Sequence, residues 1–362
     1  MTDQPVSVQT VLGPVDVSEL GVTLTHEHTL RLPSAAPSAG ARDLSAALRH
    51  QKVTANNAWL VREDPSACLD NRALTLTDVD ELADEIAIFS SAGGRTIVDN
   101  SNGPERRPSW AVRVAEVTGV QIVMGSTTSI YPAADGGRAG ADTDRADTDR
   151  IAAALIDEHR DGVPLPDGRR VRPGIIGEIV VGPDFTEDER RDLTAAAIAQ
   201  TRLGVPLMIH LPGWLRKGHE VLDLVLKTGV DPTAVVLCHM DPSGIDRSYQ
   251  REIASRGVWL EFDMIGMLEN YPGEGQSPPA NETVNAVAGL VESGFARQLL
   301  LSQDVGLKTM WTRNGGNGYG YVQRVFLPRL QAAGVDAEVV RSFLTDNPRA
   351  LFTQARLSVS GR

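Results

Sequence analysis

Two imidazoles stand two residues apart in the octapeptide Val22-Thr-Leu-Thr-His-Glu-His-Thr29. Side chains alternate along a β-strand, so Leu24, His26 and His28 are expected on one face and Glu27 on the other. Neutral imidazole is the commonest metal-ligating side chain, and such a pair makes half of a metal site. His-x-His pairs also occur on solvated strands, so the rest of the chain must supply the other ligands. Four residues qualify: Glu178, His210, His239 and Asp304, each near the end of an apolar run. An ionisable group there is costly without a partner. Any one of them could be a satisfied core group or half of an ion pair. Six together on one rim point to a shared role. Of the seven histidines, the other three (His50, His159 and His219) fall in expected helix or loop, as solvated histidines should. Four imidazoles and two carboxylates suit two borderline cations, zinc first and then manganese, cobalt or iron(II), better than calcium or magnesium. Two such ions, about 3.5–4 Å apart, could share a carboxylate and a water.

The elements that must position these groups follow a regular rhythm. Residues 6–20 read as a β-hairpin about Gly13-Pro14, and residues 22–29 as the first strand. A long excursion to residue 73 has a turn-rich part at 33–40 and helical spacing over 44–61. Helices are expected over 77–92, 109–117, up to 159, 186–202, 218–227, 243–255 and 282–292. They alternate with strands over 95–100, 120–124, 174–181, 205–211, 234–240, 258–264 and 298–304, and two helices close the chain. Near-continuous Val/Ile/Leu runs between amphipathic helices are the pattern of a parallel sheet buried on both faces. Eight such units predict an α/β fold of the closed (β/α)₈ TIM-barrel type, with an N-terminal hairpin and extended loops on the C-terminal face. One domain is expected over 1–362: the hairpin in 1–21, the barrel strands in 22–304, loop 8 and the C-terminal helices in 305–362. The six residues lie at strand ends, where barrels of this kind carry their chemistry.

The bulk properties agree. The chain has 362 residues, 41% hydrophobic and 23% charged, an ordinary globular composition. A net charge of −12 argues against nucleic acid or an anionic membrane as partner. Two cysteines, Cys68 and Cys238, are too few for a disulfide framework or a thiolate cluster. There is no signal-peptide pattern and no apolar run of membrane-spanning length, so the expected location is the cytoplasm.

With these residues in place the chain resembles the phosphotriesterase family of the amidohydrolase superfamily. The resemblance runs through Val11-Leu-Gly-Pro14, Thr23-Leu-Thr-His-Glu-His28, Cys238-His-Met-Asp241, Glu261-Phe-Asp-Met-Ile-Gly266, Leu301-Ser-Gln-Asp304 and Asp346-Asn-Pro-Arg349. It implies two metals, with His26, His28 and Asp304 on the more buried one and His210 and His239 on the more exposed one. Many family members bridge the two with a carbamylated lysine on the fourth strand. None of the four lysines here lies in an expected strand, and Glu178 resembles the glutamate that the phosphotriesterase-related branch uses instead. The Arg-Tyr-Gly that lactonases usually carry after the seventh strand is missing from Phe262-Asp-Met-Ile-Gly266, which weakens an acyl-homoserine-lactone substrate specifically.

The expected activity is hydrolysis of a carboxylic ester, lactone or amide, with phosphotriesters at most a side activity. Metals would bring the pKa of a bound water from 15.7 toward about 7. Asp304 would take and return the proton. Tyr131 sits where the family often places an aromatic beside the metals, and Trp311 and Tyr319 lie in a glycine-rich eighth loop that could form an aromatic lid. Asp241 and Asp263 are expected to orient ligands. A small molecule is the expected partner, with a homodimer also in keeping with the family. The competing readings are a mononuclear deaminase-like member of the superfamily and a non-catalytic small-molecule-binding barrel.

Overall fold

The structure, a computed structural model, describes residues 6–31, 43–72, 79–103, 106–127 and 144–360. Tyr131 and the turn-rich stretch 33–40 lie outside them. Eight strands form one sheet: β1 (Val22–Glu27), β2 (Gly94–Asp99), β3 (Gln121–Ser126), β4 (Ile175–Val180), β5 (Leu207–His210), β6 (Val235–Leu237), β7 (Trp259–Phe262) and β8 (Leu299–Leu301). They are ordered as in the sequence, and each adjacent pair is parallel. The first and last strands meet just beyond the ladder. Asp304 N donates to His26 O at 3.1 Å, and His28 N donates to Val305 O at 3.3 Å. The barrel therefore closes at its C-terminal rim through three of the residues of interest, His26, His28 and Asp304.

Helices α1 (Val79–Ser91), α2 (Pro108–Thr118), α3 (Asp144–Asp161), α4 (Glu187–Leu203), α5 (Gly218–Lys227), α6 (Arg247–Ala254) and α7 (Ala280–Glu292) follow strands β1 to β7. Local chemistry sets their ends. Thr186 and Glu189 form a reciprocal capping box at the start of α4, and Gly204 ends it in the left-handed conformation. Pro108 opens α2, where its missing N–H costs nothing, and left-handed Gly119 closes it. The C-terminus departs from the two expected helices. A π-helical segment, Val322–Phe326, runs into α8 (Leu327–Ala332), followed by α9 (Ala337–Ser342) and α10 (Asp346–Ser360).

Two apolar layers result from the alternation along each strand. Val98, Val123, Ile175, Met208, Val236, Trp259 and Leu300 fill the barrel interior, and Val8, Leu20, Leu351 and Phe352 stop its lower end. The hairpin Ser7–Thr10/Gly13–Asp16 and α10 thus act as the floor. Ile97, Ile122, Ile209, Leu237, Leu260 and Leu301 belong to the outer layer, together with the helices. This parity is broken on β1. Leu24 joins the outer layer, and the β1–β2 register shifts between Leu24 and Glu27, so Leu24 and His26 do not share a face. The β4–β5 register shifts likewise between Ile176 and Ile179, around Glu178.

Candidate metal centre

His26 and His28 at the end of β1 are buried. His26 Nε2 lies 3.5 Å from Glu178 Oε2 and 3.8 Å from Asp304 Oδ1. His28 Nε2 lies 2.9 Å from Asp304 Oδ1 and 4.0 Å from Glu178 Oε1. From β5 and the end of β6, His210 Nδ1 comes to 3.1 Å and His239 Nε2 to 3.5 Å of the same Glu178 Oε2. These two ring nitrogens are 2.7 Å apart. One carboxylate oxygen is therefore shared by imidazoles from three strands. His26, His28 and Asp304 form one set of converging donors, and His26, Glu178 and His239 another. All six residues named from the sequence meet at one place.

Backbone geometry delivers them. His239 and Asp304 both have left-handed backbones, with φ of 58° and 51°, which non-glycine residues rarely adopt. On β6 the inward position belongs to Cys238, so simple alternation would turn His239 away; the left-handed turn re-aims its ring. Surrounding bonds hold the conformation. His239 N donates to both carboxylate oxygens of Asp263 at 3.1 and 3.0 Å, and Met240 N donates to Glu261 O. Gly177 makes room for Glu178: a Cβ there would lie 2.7 Å from Met208 O, at a φ of 142°.

A second tier of carboxylates lies beneath. Asp263 pairs with His239 Nδ1 at 2.8 Å and with His26 Nδ1 at 3.2 Å, so it fixes an imidazole from each set. Glu261 approaches His26 Nδ1 at 3.3 Å and accepts from Cys238 Sγ at 3.2 Å. Sequence reasoning placed Asp263 in this role but missed Glu261, whose inward parity on β7 was the available signal. Glu27 points elsewhere: it accepts from Ser302 Oγ, Gln303 N and Val305 N and so anchors the start of loop 8. Asp241 accepts from Met264 N and Thr283 Oγ1.

The electrostatics are those of a cation site. Burial opposes charge on His26, yet Asp263, Glu261 and Glu178 push its pKa up to about 10. His239 is likewise raised well above the ordinary range, against its burial, by Asp263 and Glu178. Burial also opposes ionisation of Glu178 and Asp304. The imidazoles nevertheless hold both well below the usual carboxylate range: His210, His239 and His26 for Glu178, and His28, His26 and His239 for Asp304. Burial lifts Glu27 to about 8, and burial with Asp263 lifts Asp241 to about 7. The centre thus favours positive charge. His26 Nε2 is buried with no hydrogen-bond partner, and the ring nitrogens of His210 and His239 face each other. Divalent cations fit this donor set and would satisfy both features.

A cavity of about 380 Å³ opens onto Glu178, His210, His239 and Asp304. Arg31, Arg72 and Asn102 line it, as do Trp214, Met264, Met267 and Tyr271. Asn102 Nδ2 donates to Glu178 Oε1 at 3.3 Å, and Arg31 Nη2 lies 3.2 Å from His28 Nε2. The eighth-loop aromatics are placed differently from expectation. Trp311 and Tyr319 are buried, and neither lines the cavity. The Tyr319 hydroxyl donates to His28 O at 3.0 Å, so this ring supports the first strand from behind. The aromatic walls are Trp214 and Tyr271, in the loops after β5 and β7. His159 also departs from its expected solvated role, since its Nε2 is 2.7 Å from Ser126 Oγ at the end of β3.

An eight-stranded parallel barrel with ligand-competent residues gathered at its C-terminal rim has the layout of a metal-dependent barrel enzyme. The chain belongs to the phosphotriesterase family, whose model matches residues 6–352. The N-acetyltaurine hydrolase of Tetraodon nigroviridis is 31% identical over 353 residues, covering 96% of this chain and 97% of that protein. The human N-acetyltaurine hydrolase is 29% identical over 350 residues, with coverage of 96% and 97%. A resiniferatoxin-binding protein from Rhodobacter sphaeroides superposes with a TM-score of 0.86 at 40% identity, covering 96% of this chain and 95% of its own. A lactonase from Listeria monocytogenes shares the fold, with a TM-score of 0.70 at 22% identity over 96% and 98% of the two chains. Among the described residues no helix is long and apolar enough to cross a membrane.

Proposed function

We propose that this chain hydrolyses a carboxylic amide, ester or lactone with two divalent cations, zinc fitting best. His26, His28 and Asp304 would hold one ion, His210 and His239 the other, and Glu178 would be shared. The observation that carries this reading is Glu178 Oε2, which lies 3.1–3.5 Å from ring nitrogens of His26, His210 and His239. Bound cations would supply a water ionised near neutral pH and polarise the carbonyl under attack. Asp304 borders the cavity at 12% exposure and is held ionised by its imidazole neighbours, so it can accept a proton from the attacking water and pass it to the leaving group. Asp263 keeps His26 and His239 oriented, each with its Nε2 toward the centre.

An amide is the first substrate to try, because the curated relatives at about 30% identity are named for cleaving one. Arg31 and Arg72 in the cavity wall favour a substrate with an acidic group, since guanidinium binds such groups bidentately. The test is a panel of N-acyl amino acids, N-acyl sulfonates, esters, lactones and phosphotriesters offered to enzyme loaded with defined metals. Turnover of amides or carboxylic esters is expected. A zinc-loaded protein that cleaves none of them would contradict the proposal and favour a binding protein.

A further inference from the structure

The cavity has two chemically distinct sides. Most of its apolar members, Leu211, Trp214, Met264, Met267, Tyr271 and Leu307, come from the loops after β5, β7 and β8, with Val180 from β4 and Pro65 from the excursion after β1. Its cations and its amide donor come from the loops after β1 and β2: Arg31, Arg72 and Asn102. In a closed eight-stranded barrel β5 stands across from β1, so the loops that carry Trp214 and Arg31 face each other, while β8 adjoins β1 and brings Leu307 beside the cations. Glu274, exposed on the turn after Tyr271, adds a negative charge on the apolar side and disfavours an anion there.

The apolar side is held in shape before any ligand arrives. The rings of Trp214 and Tyr271 are 5.9 Å apart and tilted by 54°, an open wedge rather than a closed stack. The Tyr271 hydroxyl donates to Met267 Sδ at 3.3 Å. The strands Asn270–Tyr271 and Gly275–Gln276 pair into a hairpin, and Gly275 lies so close to the Trp214 indole that a side chain would collide with it. Two methionines beside this wedge add adaptable apolar surface. A cavity of about 380 Å³ falls within the range of about 300–1,000 Å³ that encloses drug-sized ligands. An acetyl group would leave most of the apolar wall uncovered.

We propose that the cavity seats an apolar acyl arm, an aromatic ring or a chain of several carbons, against Trp214 and Tyr271, with the acid-bearing amine or alcohol part toward Arg31 and Arg72. This rests on the hydrolase reading above and extends it from a bond type to a substrate class. Each methylene that a hydrophobic pocket encloses is worth about tenfold or more in specificity.

The test compares N-acetyl, N-hexanoyl and N-phenylacetyl derivatives of one amino acid on the metal-loaded enzyme. Binding of acetate and phenylacetate to the same enzyme is measured by calorimetry. The expected phenylacetyl-to-acetyl ratio of kcat/KM is at least tenfold, with phenylacetate binding at least tenfold tighter than acetate. Trp214→Ala should cut the turnover ratio about tenfold. Trp214→Phe, which keeps a flat apolar ring, should retain most of it. Turnover with no acyl preference, or a ratio unmoved by Trp214→Ala, would overturn this inference and leave the hydrolase reading standing. If no derivative is cleaved, the hydrolase reading fails, and the calorimetric ratio alone decides the apolar seat, with equal affinities refuting it.

Discussion

Asp263 reaches imidazoles of both ligand sets from one carboxylate, 2.8 Å from His239 Nδ1 and 3.2 Å from His26 Nδ1. Replacing it by Asn keeps the shape but removes the charge that favours Nδ1–H on both rings. We expect Asp263→Asn to weaken metal binding by about 10–100-fold, read by competition with a chelator, because outer partners of ligating histidines carry effects of that size. Unchanged affinity would remove Asp263 from the account. Asp304→Asn is expected to retain much of the metal while turnover falls by about 10²–10⁴-fold, the usual span of a general-base contribution; activity near wild type would refute the assignment. Tyr319 makes a contrasting case. Its buried hydroxyl donates to His28 O, so Tyr319→Phe should cost about 1 kcal/mol in urea denaturation and leave KM nearly unchanged. At this scale the sequence was informative for ionisable residues, because a histidine or carboxylate at the end of an apolar run is already anomalous. It was uninformative for aromatics. A tryptophan in a loop is equally at home in a wall or a core, and Trp311 went to the core while Trp214 went to the wall.

The strands carry the positioning. Ordinary alternation predicts the inner layer well, from Val98 round to Leu300. It fails where the donors must be aimed: at the register shifts in β1 and β4 and at the left-handed residues His239 and Asp304. Such departures depend on contacts between strands far apart in sequence, which no local pattern encodes. Gly177→Ala tests the β4 irregularity. A Cβ 2.7 Å from Met208 O at a positive φ is expected to destabilise the fold by about 1–3 kcal/mol and to displace Glu178, lowering metal content as well. A mutant with full metal content would show that the glycine is dispensable. Helix α3 offers a pH test away from the metals. Burial, with Arg106 nearby, pulls His159 from 6.5 down to about 3. The unfolded chain therefore binds a proton that the folded one refuses, and stability is lost as pH falls from about 6.5 toward 3. The urea midpoint should drop between pH 7 and pH 5, and less steeply in His159→Gln; identical slopes would contradict the burial argument.

Over the whole molecule, the eightfold alternation of apolar runs and amphipathic helices was legible because both periods are local. The roof over the barrel was not. Arg62 donates to Thr309 O, Thr309 Oγ1 donates to Glu269, and Asn270 N donates to Arg62 O, so the excursion after β1 and the loops after β7 and β8 lock together. These three segments are far apart in the chain, and polar loops give no periodic signal. What they enclose is a cavity lined by cations and by apolar rings, with a carboxylate-imidazole centre at its base. The central claim is that this centre works with two cations sharing Glu178. Metal-free protein titrated with zinc, while hydrolysis of an N-acyl amino acid is followed, tests it most directly. Activity should rise to a plateau at two equivalents per chain. A plateau reached at one equivalent would contradict the claim.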